Sequence, residues 1–290
     1  MAQERVYEVG GLNIRIHSRH TQDEYEAFWR ALHARRRSSV WGHDAIMIGD
    51  VTRSQDARED SLLYGDFYKF LNIDPNDPWF DVKKKKPATD EDVSEIVIPD
   101  NLKPNFSFCP YVFDLKNHRL YFIVKSGQGV SAPLVRVKRL IEYLSNSQQI
   151  IDRFKTVNVS IIKDKQKVSE LLAWNVIRTL EIYIERPNSD EGGDEKKALN
   201  KLNSMGANSE RTVWRKARDV KSIVIDDETR RLANVAADNG VVKVTGRNRA
   251  GLPDRASSES YPMHSRATYD PDTGDLWTAF RSFVLRNFIK

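Results

Sequence analysis

The stretch from Phe106 to Leu144 constrains the fold most, because it holds a strand, a turn, a second strand, a glycine turn and a helix in succession. Phe106, Phe108, Tyr111, Phe113 and Leu115 are aromatic or aliphatic, Lys116-Asn117-His118-Arg119 interrupts the run, and Leu120 to Val124 resumes it. That pattern predicts a β-hairpin. Ser126-Gly127-Gln128-Gly129 then turns the chain, Ser131 is placed to cap a helix with Pro133 in its first turn, and Leu134, Val137, Ile141 and Leu144 recur at helical spacing. One face of this helix is apolar and suits the hairpin; the other carries Arg136, Lys138 and Arg139.

Around this unit the chain predicts a mixed order of elements. Val6 to Ile16 reads as a strand bent or bulged at Gly10-Gly11, and Thr21 caps a helix carrying Tyr25, Phe28, Trp29 and Leu32. Arg35, Arg36 and Arg37 suit the negative end of that helix dipole. Trp41 to Thr52, Leu62 to Ile73 and Glu95 to Ile98 read as further strands, and Lys83 to Lys86 as a solvated loop. After the central helix come a strand at Val157 to Ile162, a helix at Lys165 to Leu172 and a strand at Val176 to Ile184. Hairpins interrupted by helices predict α+β architecture: mixed, largely antiparallel sheets with flanking helices, in two lobes. The composition shift from Pro187 to Gly193 divides the chain into an N-terminal α+β domain at 1–187, a polar helix or linker at 188–210 and a basic domain at 211–290. In the last domain Arg211 to Ala217, Ser222 to Ile225 and Val241 to Gly246 read as strands. Arg247 to Ser260 reads as irregular, and Tyr261 to Tyr269 as extended. Asp275 opens a terminal helix whose broad apolar face (Leu276, Trp277, Phe280, Phe283, Val284, Phe288) needs a partner, either the second domain's core or another subunit.

Composition narrows the function classes. With 290 residues, 40% hydrophobic and 10% aromatic, the chain can bury a sizeable core. It has no apolar run long enough for a membrane helix, and Met1-Ala2-Gln3-Glu4-Arg5 lacks the apolar core of a signal peptide, so the expected compartment is the cytoplasm without membrane insertion. Cys109 is the single cysteine, which leaves no intrachain disulfide and no cysteine-rich zinc site. Formal charge is +5, from 46 basic and 41 acidic residues. The segment from Arg211 to Arg255 holds 11 Lys or Arg against 6 Asp or Glu, a surplus that matches the whole net excess. A basic stripe of this kind attracts phosphate, although a solvated surface has the same composition.

No catalytic constellation stands out. The six histidines (His17, His20, His33, His43, His118 and His264) are scattered, and the closest pair cannot share one face of a strand, so neither a metal site nor a cofactor is expected. A metal-dependent nuclease would use Asp114 and Lys125, but the position two before the lysine is Ile123 where an acid is needed. The turn Lys125, Ser126, Gly127 and Gly129 could hold an anion with free backbone N–H groups at a helix start, yet it lacks the Gly-Lys-Ser or Gly-Lys-Thr of a nucleotide loop. Arg247-Asn248-Arg249-Ala250-Gly251 has the form of an arginine arm for a minor groove or a phosphate.

Most of the chain resembles a family of bacterial and phage proteins defined only as a domain of unknown function. The resemblance is carried by Gly65-Asp66-Phe67-Tyr68-Lys69-Phe70 leading to Ile73-Asp74-Pro75 and Pro78-Trp79-Phe80, then Ile98-Pro99 with Leu102-Lys103-Pro104-Asn105. Val112-Phe113, His118-Arg119-Leu120 and Leu180 to Pro187 complete it. The order of elements from Leu120 to Leu144 and Val157 to Pro187, with the late basic loop Arg247 to Arg255, is also similar to the RexA-like DNA-binding proteins of phage exclusion. That second resemblance implies a homodimer that binds double-stranded DNA without sequence preference.

The expectation is therefore a non-enzymatic, dimeric DNA-binding protein of a phage-defence or mobile-element setting. Charge placement assigns phosphate contacts to Arg211, Arg215, Lys216, Arg218, Lys221, Lys243, Arg247 and Arg249, with Arg211 and Arg215 on one strand face. Two alternatives stand beside it: a protein-interaction module acting through the C-terminal helix, with a protein partner in a defence system, and a divergent metal-dependent nuclease.

Overall fold

A computed structural model describes residues 4–289 except 55, 57, 58, 75, 95, 100, 128 and 188–192. Pro75, Glu95, Gln128 and the core of the expected linker therefore lie outside the described residues.

The chain opens with strand β1 (Arg5–Ile16) and helix α1 (Gln22–Ala34), whose N-cap Thr21 accepts a hydrogen bond from the Glu24 N–H as expected. Short strands β2 (Ser39–Trp41), β3 (Asp44–Ile48) and β4 (Thr52–Arg53) lead to the long β5 (Leu62–Leu71). A small excursion follows, made of β6 (Phe80–Asp81), β7 (Lys86–Pro87) and α2 (Asp90–Ser94). The lysine run turns the chain between β6 and β7, where the Asp81 carboxylate accepts the Lys83 and Lys84 N–H groups at 2.9 Å. No strand forms at residues 96–98. The central hairpin is β8 (Ser107–Asp114) and β9 (Arg119–Ser126), followed by α3 (Leu134–Ser145), α4 (Gln148–Phe154) and β10 (Val157–Ile161).

Apart from β6 and β7, which pair with each other, these strands build one antiparallel sheet whose main order is β10-β1-β9-β8-β5-β3-β2, with the hairpin in the middle. Residues alternate between its faces. Trp29 of α1 packs on Phe67, Tyr111 and Phe113, and its indole N–H donates to the Tyr111 hydroxyl at 2.9 Å. Tyr64 and Tyr121 point to the opposite face. Because helices cover both faces, Cys109 to Asp114 and Leu120 to Ile123 are buried without a break, which explains why the hairpin reads as near-continuous apolar runs. Gly10 and Gly11 do not bend β1; the register shift lies between Glu8 and Val9. A Cβ on Gly10 would stand 2.7 Å from Val124 Cγ1 and 3.0 Å from Leu134 Cδ2, so the glycine lets α3 approach the sheet.

The second lobe begins with α5 (Lys165–Leu172) and β11 (Val176–Glu185), then α6 (Asp194–Ser204), β12 (Ser209–Arg215), α7 (Asp227–Asn239), β13 (Gly240–Arg247) and β14 (Pro253–Ser257). Its sheet is antiparallel in the order β12-β11-β13-β14. Leu180, Ile182, Ile184, Val242 and Val244 face a core shared with Ala233, Ala236 and Ala237 of α7. The chain then returns: β15 (Ser265–Tyr269) pairs with β1, and α8 (Leu276–Asn287) packs on the first core.

The fold is α+β with largely antiparallel sheets, as expected, but the expected breaks at 187 and 211 do not coincide with the division between the two cores. β11 is hydrogen-bonded on both sides by β12 and β13, so it belongs to the second sheet. α8 packs on the first lobe and not on the second core: Trp277 meets Tyr64, Phe283 meets Tyr7, and Phe288 stacks on Tyr121 at 4.7 Å. Ser222 to Ile225 is irregular, whereas Pro253–Ser257 within the expected irregular stretch is a strand.

Polar side chains join the lobes. The fully buried Arg15 of β1 donates to Ser160 Oγ (2.9 Å), to Glu185 Oε2 (2.6 Å) and to the Arg186 carbonyl (3.0 Å). The buried Asp238 at the end of α7 is held by Arg119 (3.1 Å) and Lys165 (2.7 Å).

Candidate nucleic-acid interface

Helices α5, α6 and α7 cover one face of the four-stranded sheet, and strand alternation sends every second side chain to the other. On β13, Val242, Val244 and Gly246 are buried while Lys243, Thr245 and Arg247 are not. Register extends the pattern across the sheet: Arg215 lies opposite Thr179, which lies opposite Thr245, which lies opposite Arg255. In the same way Val213, Glu181, Lys243 and Ser257 form a row, and Arg211 lies beside Tyr183. Arg211, Arg215, Lys243, Arg247 and Arg255 therefore share one solvent-facing surface.

Their charges are not equally available. Arg211 donates to Glu181 at 3.0 Å, and Lys243 lies 3.6 Å from Glu259. Arg247 donates through Nη1 to the Gly251 carbonyl at 2.9 Å, a bond that positions the side chain without neutralising it. Arg215 and Arg255 have no ion-pair partner among the described residues. Half of the expected contacts thus converge on one face: Arg211, Arg215, Lys243 and Arg247. The other half do not. Lys216 lies just past β12, and its ammonium is spent on the Ala217 and Val220 carbonyls, both at 2.6 Å, which closes the loop. Arg218 and Lys221 are exposed on the same loop, and Arg249 sits in the β13–β14 turn, where its carbonyl accepts from Asn175. Arg255 was missed because the stretch holding it reads as irregular; the alternation of Pro253, Arg255 and Ser257 is its only signal.

One end of this face forms the wall of a cleft of about 480 Å³ between the lobes, with Lys138 of α3 and Lys163 after β10 on the far side. Lys163 is buried and donates to the Ile161 carbonyl at 2.6 Å. Burial, with the nearby Lys138 charge, lowers its pKa to about 8. The cleft therefore presents cations from both lobes, each set against Glu181, Glu185 and Glu259.

The other expected sites are taken up by structure. Asp114 is buried, and its carboxylate accepts from the Lys116 and Asn117 N–H groups at 3.1 Å and from Asn117 Nδ2 at 2.6 Å, which fastens the hairpin turn. Pro133, not Ser131, is the N-cap of α3, and the Ala132 N–H donates to the Ile123 carbonyl. The turn at Lys125, Ser126, Gly127 and Gly129 thus stands apart from the helix start that would strengthen an anion site. Lys125, Ser126 and Gly127 line instead a cleft of about 670 Å³ with Tyr7 and Arg266. Among the described residues no group of three or more His, Cys, Asp or Glu is arranged to hold a metal ion, and no helix is long and apolar enough to cross a membrane.

The fold and this face define a class: an α+β protein whose four-stranded sheet buries one face and presents a cationic other face. The chain belongs to the family described as domain of unknown function DUF4747, which matches residues 5–285. No curated protein matches it.

Proposed function

We propose that the protein binds double-stranded DNA through its phosphates, using the open face of the four-stranded sheet and without reading sequence. The observation that carries this reading is the register that sets Arg211, Arg215, Lys243, Arg247 and Arg255 on one solvent-facing surface. Flat cationic surfaces meet phosphate oxygens, and such contacts fix position and give affinity without sequence information. Arg249 in the adjoining turn, with Arg218 and Lys221 on the loop after β12, extends the same cationic edge. Glu181 and Glu259 hold two of the cations in place and lower the net charge, which suits moderate, salt-sensitive binding.

The homodimer, the phage-exclusion setting and the absence of a catalytic step belong to the same reading and rest on the RexA-like order of elements. The test is binding of the full chain to labelled duplexes of unrelated sequence. Arg215→Glu with Arg247→Glu is expected to weaken binding to all of them by the same factor. Unchanged affinity, or loss on one sequence only, overturns the assignment of this face.

A further inference from the structure

A second concentration of arginines lies on the first lobe. Helices α1 and α4 lie side by side and leave between them a cleft of about 480 Å³, into which Arg35, Arg37 and Arg153 all reach. Ile150 and Phe154, both buried, form its floor, and the Arg153 guanidinium lies 4.7 Å from the Phe154 ring centroid. No carboxylate lines this cleft, and none of the three arginines has an ion-pair partner among the described residues. This differs from the cleft between the lobes, where carboxylates answer the cations.

Dipole compensation at the end of α1 accounts for a positive charge near Arg35. Arg153, in the last turn of α4, answers that helix's dipole in the same way. Dipole compensation does not account for the Arg35 Nε, which is buried without a hydrogen-bond partner, or for the meeting of arginines from two helix ends on one cleft lined by no carboxylate. A buried N–H left unbonded costs free energy, and three guanidinium groups around one cavity repel one another. An anion would relieve both costs. Planar, forked guanidinium groups match phosphate oxygens, and the accessible apolar lining at Ala31 and Ala34 accepts a hydrophobic or aromatic body beside them.

We infer that the cleft between α1 and α4 binds a small phosphate monoester with an aromatic body, of which a nucleoside monophosphate is representative. Arg35, Arg37 and Arg153 grip the phosphate, and Ala31 and Ala34, beside the buried Ile150 and Phe154, receive the aromatic part. The site is separate from the sheet face proposed for duplex DNA and does not depend on it.

The test is titration calorimetry on the full chain with adenosine monophosphate and with inorganic phosphate. Adenosine monophosphate is expected to bind at least roughly tenfold more tightly than phosphate, and Arg153→Gln or Arg37→Gln to weaken it by about tenfold or more. Both side chains are on the surface, so the variants keep the fold; Arg153→Lys, which keeps the charge and loses the fork, is expected to bind at an intermediate level. No binding of adenosine monophosphate, or binding that the arginine variants leave intact, overturns the site. Equal affinity for inorganic phosphate overturns the ligand class. Displacement of adenosine monophosphate by duplex DNA would assign these arginines to nucleic acid and overturn the small-ligand reading.

Discussion

Replacing Glu185 by Gln tests how the two lobes are joined. Arg15 is wholly buried, and Glu185, 34% exposed at its side chain, is its only carboxylate partner among the ion pairs described. The substitution keeps shape and an acceptor oxygen but removes the counter-charge, which leaves a buried guanidinium bonded only to neutral acceptors: Ser160 Oγ, the Arg186 carbonyl and the new amide oxygen. Breaking a fully buried pair costs about 3–5 kcal/mol. With one partner a third exposed and an amide oxygen still present, the expected loss is roughly 2 kcal/mol. Near Tm that corresponds to a drop of about 3 °C for a chain of 290 residues. The assay is thermal and urea unfolding of wild type, Glu185→Gln, and the double variant Arg15→Met with Glu185→Leu. The double variant should recover most of the loss, because apolar replacement removes the buried charge altogether. A Glu185→Gln protein within about 0.5 kcal/mol of wild type refutes the claim that this pair ties the lobes. Since Glu185 is an acid in the inter-lobe cleft, its neutralisation should leave DNA affinity equal or slightly higher.

Three further outcomes follow from the packing. Gly65→Ala would set a Cβ 1.9 Å from the Asp50 carbonyl oxygen, so β5 must shift; a loss of about 2–3 kcal/mol is expected in urea unfolding, and a neutral result would contradict the close approach. His118 is stacked on Tyr25 at 3.7 Å, and burial, with His20 and Arg119 nearby, lowers its pKa to about 3. The unfolded chain takes up this proton near pH 6.5, so the stabilisation is complete above that pH and is lost as pH falls toward 3. His118→Asn, which tolerates the positive φ of 59° at this turn, should flatten that decline in unfolding measured across pH. Truncation before Asp275 removes the buried Phe280 and Val284 from the first core, so it should unfold the first lobe; a stable truncated protein, judged by circular dichroism, would contradict the packing of α8.

Local signals were the legible ones. The hairpin, the Thr21 cap and the helix at Lys165–Leu172 all announce themselves within a few residues, and each forms where the pattern places it. What sequence could not show is non-local. The apolar face of α8 gives no sign of whether its partner is near or far, and it proves to be Tyr7, Tyr64 and Tyr121, early and central in the chain. β11 follows the first-lobe elements in sequence, yet it pairs with later strands. The basic segment is visible as a surplus of charge, but charge placement alone does not tell Arg215, which has no ion-pair partner among the described residues, from Arg211, which is held by Glu181 across the strand. Lys216 looked equivalent to its neighbours until two carbonyls claimed its ammonium. The helix dipole explains Arg35 and Arg37 locally, and only the fold shows that Arg153 of α4 lines the same cleft.

The most direct test of the account is the salt dependence of duplex binding, measured for wild type and for Arg215→Ala with Arg247→Ala and Arg255→Ala, with EDTA present. Each neutralised phosphate contributes a slope of about −0.9 in log K against log salt, so five contacts give about −4.5 and loss of three leaves about −1.8. A steep wild-type slope that falls by about 2.7 in the triple variant is the predicted result. No binding at low salt, or a slope that the three substitutions leave unchanged, would contradict it.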